Sequence, residues 1–289
     1  MRDTEVKEIT NLHPCFNRVN NKGRMHLPVS PACNIFCRFC ERKIGACEDV
    51  RPGVAGELVE PKDAPERVAE ALRLCPEITV VGIAGPGDTL ATDHACAAFR
   101  AIGARFPALI RCMSTNGLLL PEKIGDVIDA GVRTLTVTVN AVDPVILSRL
   151  NDGIVYHGDP LTGEEANLIL IRNQLEGIRL AAEANLIVKV NTVLVPEING
   201  RHIGAVARAV AKRGASIYNI IPLIPQHKLA RLSAPSCAEI DRARGDAENH
   251  IPVFRHCQHC RADAVGLLGG KDFGEQIYRV RAAETFSHG

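Results

Sequence analysis

Residues 25–43 read MHLPVSPACNIFCRFCERK, a short apolar run that leads directly into three cysteines. Cys33, Cys37 and Cys40 are spaced as Cys-x3-Cys-x2-Cys, so three thiolates lie on one short loop after a predicted strand. Three thiolates can hold three irons of a [4Fe–4S] cube and leave the fourth iron open to a small chelating molecule. Zinc is the alternative, because Cys47 could complete a set of four, although closed zinc sites typically use two separated pairs. The loop therefore predicts a reaction centre more than a structural metal site.

The composition is that of an ordinary globular protein. The chain has 289 residues, of which 46% are hydrophobic and 23% charged, and its formal net charge is +1. No basic block stands out, which argues against a nucleic-acid partner, since phosphate binding needs clustered cations. No apolar run approaches the roughly 20 residues of a membrane span, and the first residues do not resemble a signal peptide. We therefore expect a cytoplasmic protein, in which eleven cysteines indicate metal binding or catalysis more than disulfides.

Short apolar segments alternate with helix-like segments along most of the chain. The predicted strands are 25–30, 78–84, 109–114, 134–140, 187–195 and 217–222, and the predicted helices are 65–74, 93–105, 121–130, 164–184, 201–213 and 237–249. This alternation predicts βαβ units with a parallel sheet, and six such units predict a partial (β/α)6 TIM-like barrel that is open on one side. The barrel would span residues 25–249, with residues 1–24 and 250–289 as N- and C-terminal extensions.

Three local predictions follow from composition and spacing. Residues 151–163 are rich in Gly, Asp and Pro and predict a loop that could form a mobile lid. Cys75, Cys96 and Cys237 fall in helical patterns, which favours small buried hydrophobic side chains. Helix 164–184 has apolar residues at every third or fourth position, which predicts one buried face made of Leu168, Ile171, Leu175, Ile178 and Ala182.

Several glycine and polar residues lie where the predicted strands end. The active sites of parallel barrels gather at the carboxyl ends of the strands, so these residues are candidates for binding a ligand. One group forms a loop whose glycines permit close approach of a ligand, namely Gly85, Pro86, Gly87 and Asp88. The others are Ser114, Asn116, Asn140 and Asn191. Their alternative role is in turns and helix caps.

Further soft metal ligands are spread along the chain. Cys257 and Cys260 form a Cys-x2-Cys pair, whose spacing lets both sulfurs reach one metal. Four more candidates lie in loops, at a strand end or just before the cysteine loop, namely Cys15, His26, Cys47 and Cys112. An isolated histidine is usually structural or solvated. Thiolates nevertheless select iron–sulfur clusters and an imidazole can join them, so this set could hold more than one cluster.

The cysteine loop together with the glycine loop resembles the radical S-adenosylmethionine (SAM) enzymes, in which the open iron binds SAM. The order of further segments is similar to the NifB family of radical SAM maturases, which make the carbide-containing iron–sulfur core of the nitrogenase cofactor. These segments span residues 13–260 and are HPCFN, RMHLPVSPACNIFCRFCERK, RPGV, AGPGD, CMSTNG and the final Cys-x2-Cys. Because the chain ends shortly after the last pair, it resembles the stand-alone form without a fused NifX-like domain.

This resemblance implies one [4Fe–4S] cluster that cleaves SAM and two [4Fe–4S] clusters that are substrates. The SAM-cleaving cluster would be held by Cys33, Cys37 and Cys40, and SAM would be contacted by the strand-end residues named above. One substrate cluster would be held by Cys257, Cys260 and Cys15, and the other by His26, Cys47 and Cys112. SAM would supply a carbide that joins the two clusters, together with a sulfur from outside.

The implied partners are an iron–sulfur cluster donor, an electron donor and a cofactor scaffold or carrier protein. The sequence also leaves two alternatives open. One is another radical SAM enzyme with auxiliary clusters that acts on a peptide or small molecule. The other is a non-catalytic iron–sulfur or zinc carrier protein, for which no SAM cleavage is expected.

Overall fold

A computed structural model describes residues 3–16, 21–45, 49–278 and 284–286. The helices are α1 (Asp3–Leu12), α2 (Ala64–Leu74), α3 (His94–Arg105), α4 (Leu120–Asp129), α5 (Pro144–Ser148), α6 (Gly163–Glu183), α7 (Pro196–Asn199), α8 (Ile203–Ala211), α9 (Cys237–Glu248) and α10 (Gly274–Ile277). The strands are β1 (Gly23–His26), β2 (Ile35–Cys37), β3 (Arg42–Ile44), β4 (Val54–Ala55), β5 (Ile78–Ile83), β6 (Ile110–Thr115), β7 (Val132–Thr138), β8 (Asn151–Tyr156), β9 (Asp159–Thr162), β10 (Ile187–Leu194), β11 (Ile217–Pro222), β12 (Val253–Phe254), β13 (Val265–Leu267) and β14 (Glu284–Phe286). None of the helices in the described ranges is long and apolar enough to cross a membrane.

The largest sheet has eight strands in the order β12-β11-β10-β7-β6-β5-β1-β13. Seven of these strands run parallel, and β13 pairs antiparallel with β1 at one edge. Helices α2, α3, α4, α6, α8 and α9 follow the first six parallel strands in turn. Among the described residues β12 and β13 do not pair with each other, so the sheet stays open. The predicted partial (β/α)6 barrel is therefore confirmed.

The six predicted strands and six predicted helices are all present, with small differences at their ends. The first strand was predicted over 25–30 but spans Gly23–His26. It ends early because Pro28 has no N–H group to donate to a neighbouring strand. The short strands β12 and β13 were missed, since segments of two or three residues carry no readable periodicity.

Side chains on the barrel strands alternate between an outer face and an inner face. On the outer face, Met25 and Val188 are fully buried beneath the surrounding helices. On the inner face, His26 of β1 and Lys189 of β10 point into the barrel and line a cavity. The same alternation that builds the core thus delivers polar side chains to the interior of the barrel.

Helix α6 buries part of the predicted face, since Ile171 is 5% exposed and Ile178 is fully buried. Leu168 is 56% exposed, so its predicted burial is wrong. The buried face contains Asn173 and Gln174, and the side chain of Gln174 donates to the backbone carbonyls of Asn116 at 2.8 Å and Thr138 at 2.9 Å. Hydrophobic periodicity missed these two amides because they are buried where they donate hydrogen bonds to distant backbone carbonyls.

The segment 151–163 is a β-hairpin rather than the predicted loop. Strands β8 and β9 pair antiparallel, and β8 also pairs with β2 inside the cysteine loop, where Cys37 lies opposite Asn151. The side-chain oxygen of Asn151 accepts a hydrogen bond from the backbone N–H of Phe36 at 3.1 Å. The Gly, Asp and Pro content of the segment concealed the strand pairing, which depends on a partner more than 100 residues away.

Of the three cysteines predicted to be buried in helices, two are buried and one is exposed. Cys75 and Cys96 are buried, with 3% and 4% of their surface exposed. Cys237 is exposed as the first residue of α9, so its predicted burial is wrong. The helix begins at this residue with the capping residue Ser236, and the first turn of a helix offers little burial unless other elements cover it.

Candidate active site

The inner face of the barrel sheet borders a cavity of about 320 Å³. Along these strands every second residue faces the cavity, and where that residue is glycine it leaves free space. The strand residues that line this cavity include Arg24, His26, Gly82, Cys112, Ser114, Lys189, Asn191 and Asn219. The wall opposite comes from the cysteine loop, through Cys40, and from the C-terminal segment, through Cys257 and Cys260.

The cysteine loop presents its three thiols differently. Cys33 and Cys37 are buried, whereas Cys40 is half-buried and lines the cavity. Pairing of β2 with the β8–β9 hairpin fixes the middle of the loop, and the backbone N–H of Cys40 donates to the carbonyl of Cys37 at 3.1 Å. The loop is therefore shaped by backbone contacts within the protein.

The charge around the three thiols suits an anionic cluster. Burial raises the pKa of the Cys33 thiol and raises that of Cys37 well above its ordinary value. Burial alone would lower the pKa of Arg42, but the neighbouring Cys40, Cys33 and Cys37 raise it overall. The Arg42 guanidinium thus lies where it balances the negative charge of the thiolates that metal binding would create.

The donor set fits a cluster better than a single metal ion. Within the described ranges, no three His, Cys, Asp or Glu side chains are close enough to share one ion. The thiolates of a cube each bind a different iron, so they lie farther apart than the ligands of a single zinc. Cys33, Cys37 and Cys40 would hold such a cube and leave its fourth iron open for SAM.

The glycine loop packs directly on the cysteine loop through backbone groups. The N–H of Gly87 donates to the carbonyl of Ser30 and the N–H of Asp88 donates to the carbonyl of Ala32, both at 2.8 Å. A Cβ atom at Gly87 would overlap the carbonyl oxygen of Ala32. Glycine is required here so that the two loops can approach each other closely.

The buried carboxylate of Asp88 ties the glycine loop to the next strand end. It accepts hydrogen bonds from the backbone N–H groups of Leu90 at 3.0 Å and Asn116 at 2.6 Å, and from the hydroxyl of Thr115 at 3.0 Å. Burial raises the pKa of Asp88, and these hydrogen bonds oppose that shift. Asn116 in turn donates from its side chain to the side-chain oxygen of Asn34 at 2.6 Å. Direct contact of Asp88 or Asn116 with SAM stays a prediction.

Of the other predicted SAM contacts, Pro86, Ser114 and Asn191 line the cavity. The side chain of Asn140 instead accepts a hydrogen bond from the backbone N–H of Val193 on β10 at 2.9 Å, a contact between two strand ends. Gly85 belongs to the loop described above, with φ of +136°, a backbone conformation that favours glycine. All of these contacts with SAM stay predictions.

Asn219 is a polar cavity residue that the sequence analysis missed. Its side-chain nitrogen donates to the side-chain oxygen of Asn191 at 3.0 Å, while its own buried oxygen has no hydrogen-bond partner among the described residues. Buried polar atoms are rarely left without a partner, so this oxygen is suited to a ligand that donates a hydrogen bond. The signal was an asparagine inside an otherwise apolar strand.

The second set of soft ligands converges on the same cavity as Cys40. The members of this set that line it are Cys15, His26, Cys112, Cys257 and Cys260. Cys47 lies outside the described residues. Burial, together with the nearby Cys260 and Cys112, raises the pKa of Cys15 to about 12, against the opposing effect of Lys189. Cys15 therefore adjoins both predicted ligand sets, and the division of ligands between two clusters stays a prediction.

His26 has its imidazole fixed in one tautomer. Its Nδ1 atom lies 2.9 Å from the carbonyl oxygen of Arg261, which can only accept, so Nδ1 carries the proton and Nε2 keeps its lone pair. Burial, reinforced by Arg24, lowers the pKa of His26 to about 4, so the ring is neutral at pH 7. This arrangement is typical of a histidine that ligates a metal, whose other nitrogen donates to a backbone carbonyl.

Three further cavity residues were not predicted as site residues. His13 is buried, and its Nδ1 accepts a hydrogen bond from the backbone N–H of Cys15 at 3.2 Å, so its Nε2 carries the proton. Arg24 and Lys189 are buried cations on β1 and β10. A basic residue inside a buried strand, such as Lys189 in IVKVNTVL, was a readable signal because buried cations are uncommon.

Comparisons with known proteins agree with this site. The family model for the radical SAM superfamily matches residues 27–210. The chain is 44% identical to the FeMo cofactor biosynthesis protein NifB of Methanocaldococcus infernus, over 97% of this chain and 94% of the relative. It is 46% identical to the protein of the same name from Methanocaldococcus jannaschii, over 96% of this chain and 93% of the relative.

A solved structure supports the fold alone. The radical SAM methyltransferase of Sphaerobacter thermophilus superposes with a TM-score of 0.60 at 18% identity, over 82% of this chain and 66% of that chain, just under two thirds of its length. Membership of the superfamily makes the protein an enzyme that uses a [4Fe–4S] cluster and SAM. On the sequence identities above, the chain belongs to the NifB family of radical SAM enzymes.

Proposed function

We propose that this protein joins two [4Fe–4S] substrate clusters around a carbide taken from SAM, giving the eight-iron core of the nitrogenase iron–molybdenum cofactor. The observation that carries this proposal is the convergence of Cys40 with Cys15, His26, Cys112 and Cys260 on one cavity. A radical formed beside the cysteine loop acts only on atoms in contact with it, because hydrogen abstraction needs near-attack geometry. The names of the relatives support the same biosynthetic role.

The SAM-cleaving cluster would be held by Cys33, Cys37 and Cys40, and when bound it supplies the electron that splits SAM into methionine and a 5′-deoxyadenosyl radical. The protein contributes charge and position. Arg42 balances the thiolates, as its raised pKa beside the three cysteines indicates. Asp88 holds the glycine loop and the Thr115–Asn116 strand end against the cysteine loop, so that SAM would meet a fixed surface.

SAM would act in two ways. One SAM would give its methyl group to a sulfide of a substrate cluster and leave as S-adenosylhomocysteine. A second SAM would accept an electron, and its radical would take one hydrogen atom from that methyl and leave as 5′-deoxyadenosine. The two remaining hydrogens would leave as protons to water or a base, the electrons that reduce the carbon to a carbide would come from the cluster irons and the electron donor, and an external sulfide would complete the core. An electron donor, a cluster donor and a scaffold or carrier protein are the partners that this sequence of steps requires.

Both terminal extensions would serve the substrate site. The N-terminal extension would contribute Cys15, and the C-terminal extension would contribute Cys257 and Cys260, all of which reach the cavity beside His26. The substrate clusters would therefore be enclosed between the barrel and its extensions. We place this reaction in the cytoplasm, where thiols stay reduced.

The test is anaerobic reconstitution of the full chain with iron and sulfide, followed by addition of SAM and a reductant. We expect about twelve irons per chain, as three four-iron clusters require, and transfer of an eight-iron cluster to an apo-nitrogenase scaffold. A Cys37→Ala variant is the matched control, since it should lose SAM cleavage but keep the substrate ligands. If the wild-type chain holds all three clusters, cleaves SAM and keeps its iron instead of releasing a product, it is a radical SAM enzyme with fixed auxiliary clusters.

A further inference from the structure

Two buried cations lie on the inner face of the barrel next to the second set of ligands. Lys189 is only 8% exposed and Arg24 only 5%. The Arg24 guanidinium donates to the carbonyl of Gly266 at 2.8 Å and lies 3.1 Å from the sulfur of Cys260. Its Nε atom has no hydrogen-bond partner among the described residues.

Lys189 is held in place without a carboxylate. Its ammonium group donates to the backbone carbonyl of Cys15 at 3.1 Å and lies 4.9 Å and 5.6 Å from the ring centroids of Phe16 and Phe254. No salt bridge to Lys189 occurs within the part of the chain that the structure describes, and no Asp or Glu of that part lines the cavity. A buried ammonium without a counter-charge costs free energy, so its presence needs an explanation.

The surroundings of Lys189 would accept an apolar side chain. Two aromatic rings flank the ammonium, and one backbone carbonyl is its single hydrogen-bond acceptor in the described structure. If Lys189 only filled space between these rings, a methionine at this position would serve equally well. The charge is better explained by something negative that enters the cavity.

The anion that fits is an iron–sulfur cluster. Thiolate-ligated [4Fe–4S] clusters carry net negative charge, and the soft ligands Cys15, Cys112 and Cys260 line the same cavity as Lys189 and Arg24. His13 adds a hydrogen-bond donor, because its protonated Nε2 is buried and has no acceptor among the described residues. Coulomb attraction in a buried site is strong and needs no covalent bond to iron.

We propose that Lys189 and Arg24 bind the iron–sulfur substrate through its negative charge, with Lys189 acting as a binding residue that does not ligate iron. This inference rests on the proposed function. It offers a way to hold a cluster firmly with few ligands, so that the product can leave once its charge or shape changes. Lys189 would also raise the reduction potential of the substrate cluster, since a nearby cation favours the more negative, reduced form.

The experiment compares full-length variants after anaerobic reconstitution with iron and sulfide. Lys189→Met removes the charge, Lys189→Gln removes it while keeping a donor for the Cys15 carbonyl, and Lys189→Arg keeps it. Lys212→Met, at an exposed position on the end of α8, is the matched control. The measurements are the rate of iron loss to a chelator and the reduction potential of each cluster from electron paramagnetic resonance.

We expect the two neutral variants to lose substrate-cluster iron about tenfold faster than wild type, with a more negative potential for that cluster. Lys189→Arg and Lys212→Met should stay within about twofold of wild type. If Lys189→Gln lost iron at the wild-type rate and its substrate cluster kept the wild-type reduction potential, the proposal would be overturned, even if Lys189→Met did not fold. Because no product is measured, a wild-type chain that holds its clusters but makes no transferable core would refute the proposed function alone.

Discussion

The Nδ1 atom of His26 lies 2.9 Å from the backbone carbonyl oxygen of Arg261, so a residue of the first barrel strand is oriented by the C-terminal segment. Two more contacts hold the same strand end, since the His26 N–H donates to Ala264 and its carbonyl accepts from the Tyr278 hydroxyl at 2.6 Å. The Arg261 side chain is itself fixed by a two-point ion pair with Asp263. These protein contacts together fix the orientation of the imidazole.

Replacement of His26 should separate binding of a substrate cluster from its release. We expect His26→Ala to lose about four irons per chain, those of one cluster, while the SAM-cleaving cluster stays. His26→Cys should keep this iron but release less product, because a thiolate binds iron more tightly than a neutral imidazole. Iron analysis and the cluster-transfer assay measure the two effects. Full product formation by His26→Cys would show that imidazole ligation is not needed for release.

Gly82 packs against the His26 ring, and its lack of a side chain leaves room for that ring. A Cβ atom at position 82 would lie 3.2 Å from Cδ2 and 3.7 Å from Nε2 of His26, so the ring must move by a few tenths of an ångström. We expect Gly82→Ala to weaken binding of the His26-ligated cluster about tenfold, as changes beside metal ligands commonly do. Chelator titration of the reconstituted protein measures this, and equal affinity in the variant would mean that His26 is not a ligand.

Gly87 and Gly125 form a matched pair of glycines. A Cβ at Gly87 overlaps the Ala32 carbonyl in the cysteine loop, whereas a Cβ at Gly125, in the middle of α4, meets no atom within 4 Å. Gly87→Ala should lower stability by about 1–3 kcal/mol through overpacking and should abolish 5′-deoxyadenosine formation. Gly125→Ala should instead raise stability by about 0.5–1 kcal/mol. Thermal unfolding and a chromatographic assay would detect both effects, and normal SAM cleavage by Gly87→Ala would contradict the docking of the two loops.

Asp88→Asn tests whether this carboxylate anchors the site. The substitution keeps the size of the side chain but turns one acceptor oxygen into a donor, which then faces either the N–H of Leu90, at the Oδ2 position, or that of Asn116, at the Oδ1 position. We expect a loss of about 1–3 kcal/mol in stability, since a buried donor is left unsatisfied, together with weaker SAM binding. Asp159→Asn, on the exposed hairpin strand β9, should change neither quantity. Denaturant titration measures the stability of the two variants and of the wild type, and equilibrium dialysis measures their affinity for SAM.

Local pattern determined the fold class and the identity of most cavity ligands. Six apolar segments alternating with six helical ones were sufficient for a partial parallel barrel, because strand and helix periods are properties of neighbouring residues. The Cys33–Cys40 spacing likewise needed no tertiary information, since three ligands on one loop are brought together by the chain itself. Burial of Gln174 on α6 was missed because it donates to distant backbone carbonyls, which periodicity cannot show.

Tertiary structure decided which residues share the cavity and in what chemical state. Cys15, His26 and Cys260 are far apart in sequence, and only the folding of both terminal segments against the barrel places them together. The tautomer of His26 depends on a carbonyl 235 residues away, and the opposite tautomer of His13 depends on a local N–H. Arg24 and Lys189 bring positive charge to a cavity that no carboxylate lines within the described residues. This imbalance of charge is visible only in the folded protein. Sequence determined the ligands because residue type sets metal preference, whereas the fold decided their geometry and charge because burial and partner contacts arise between distant segments.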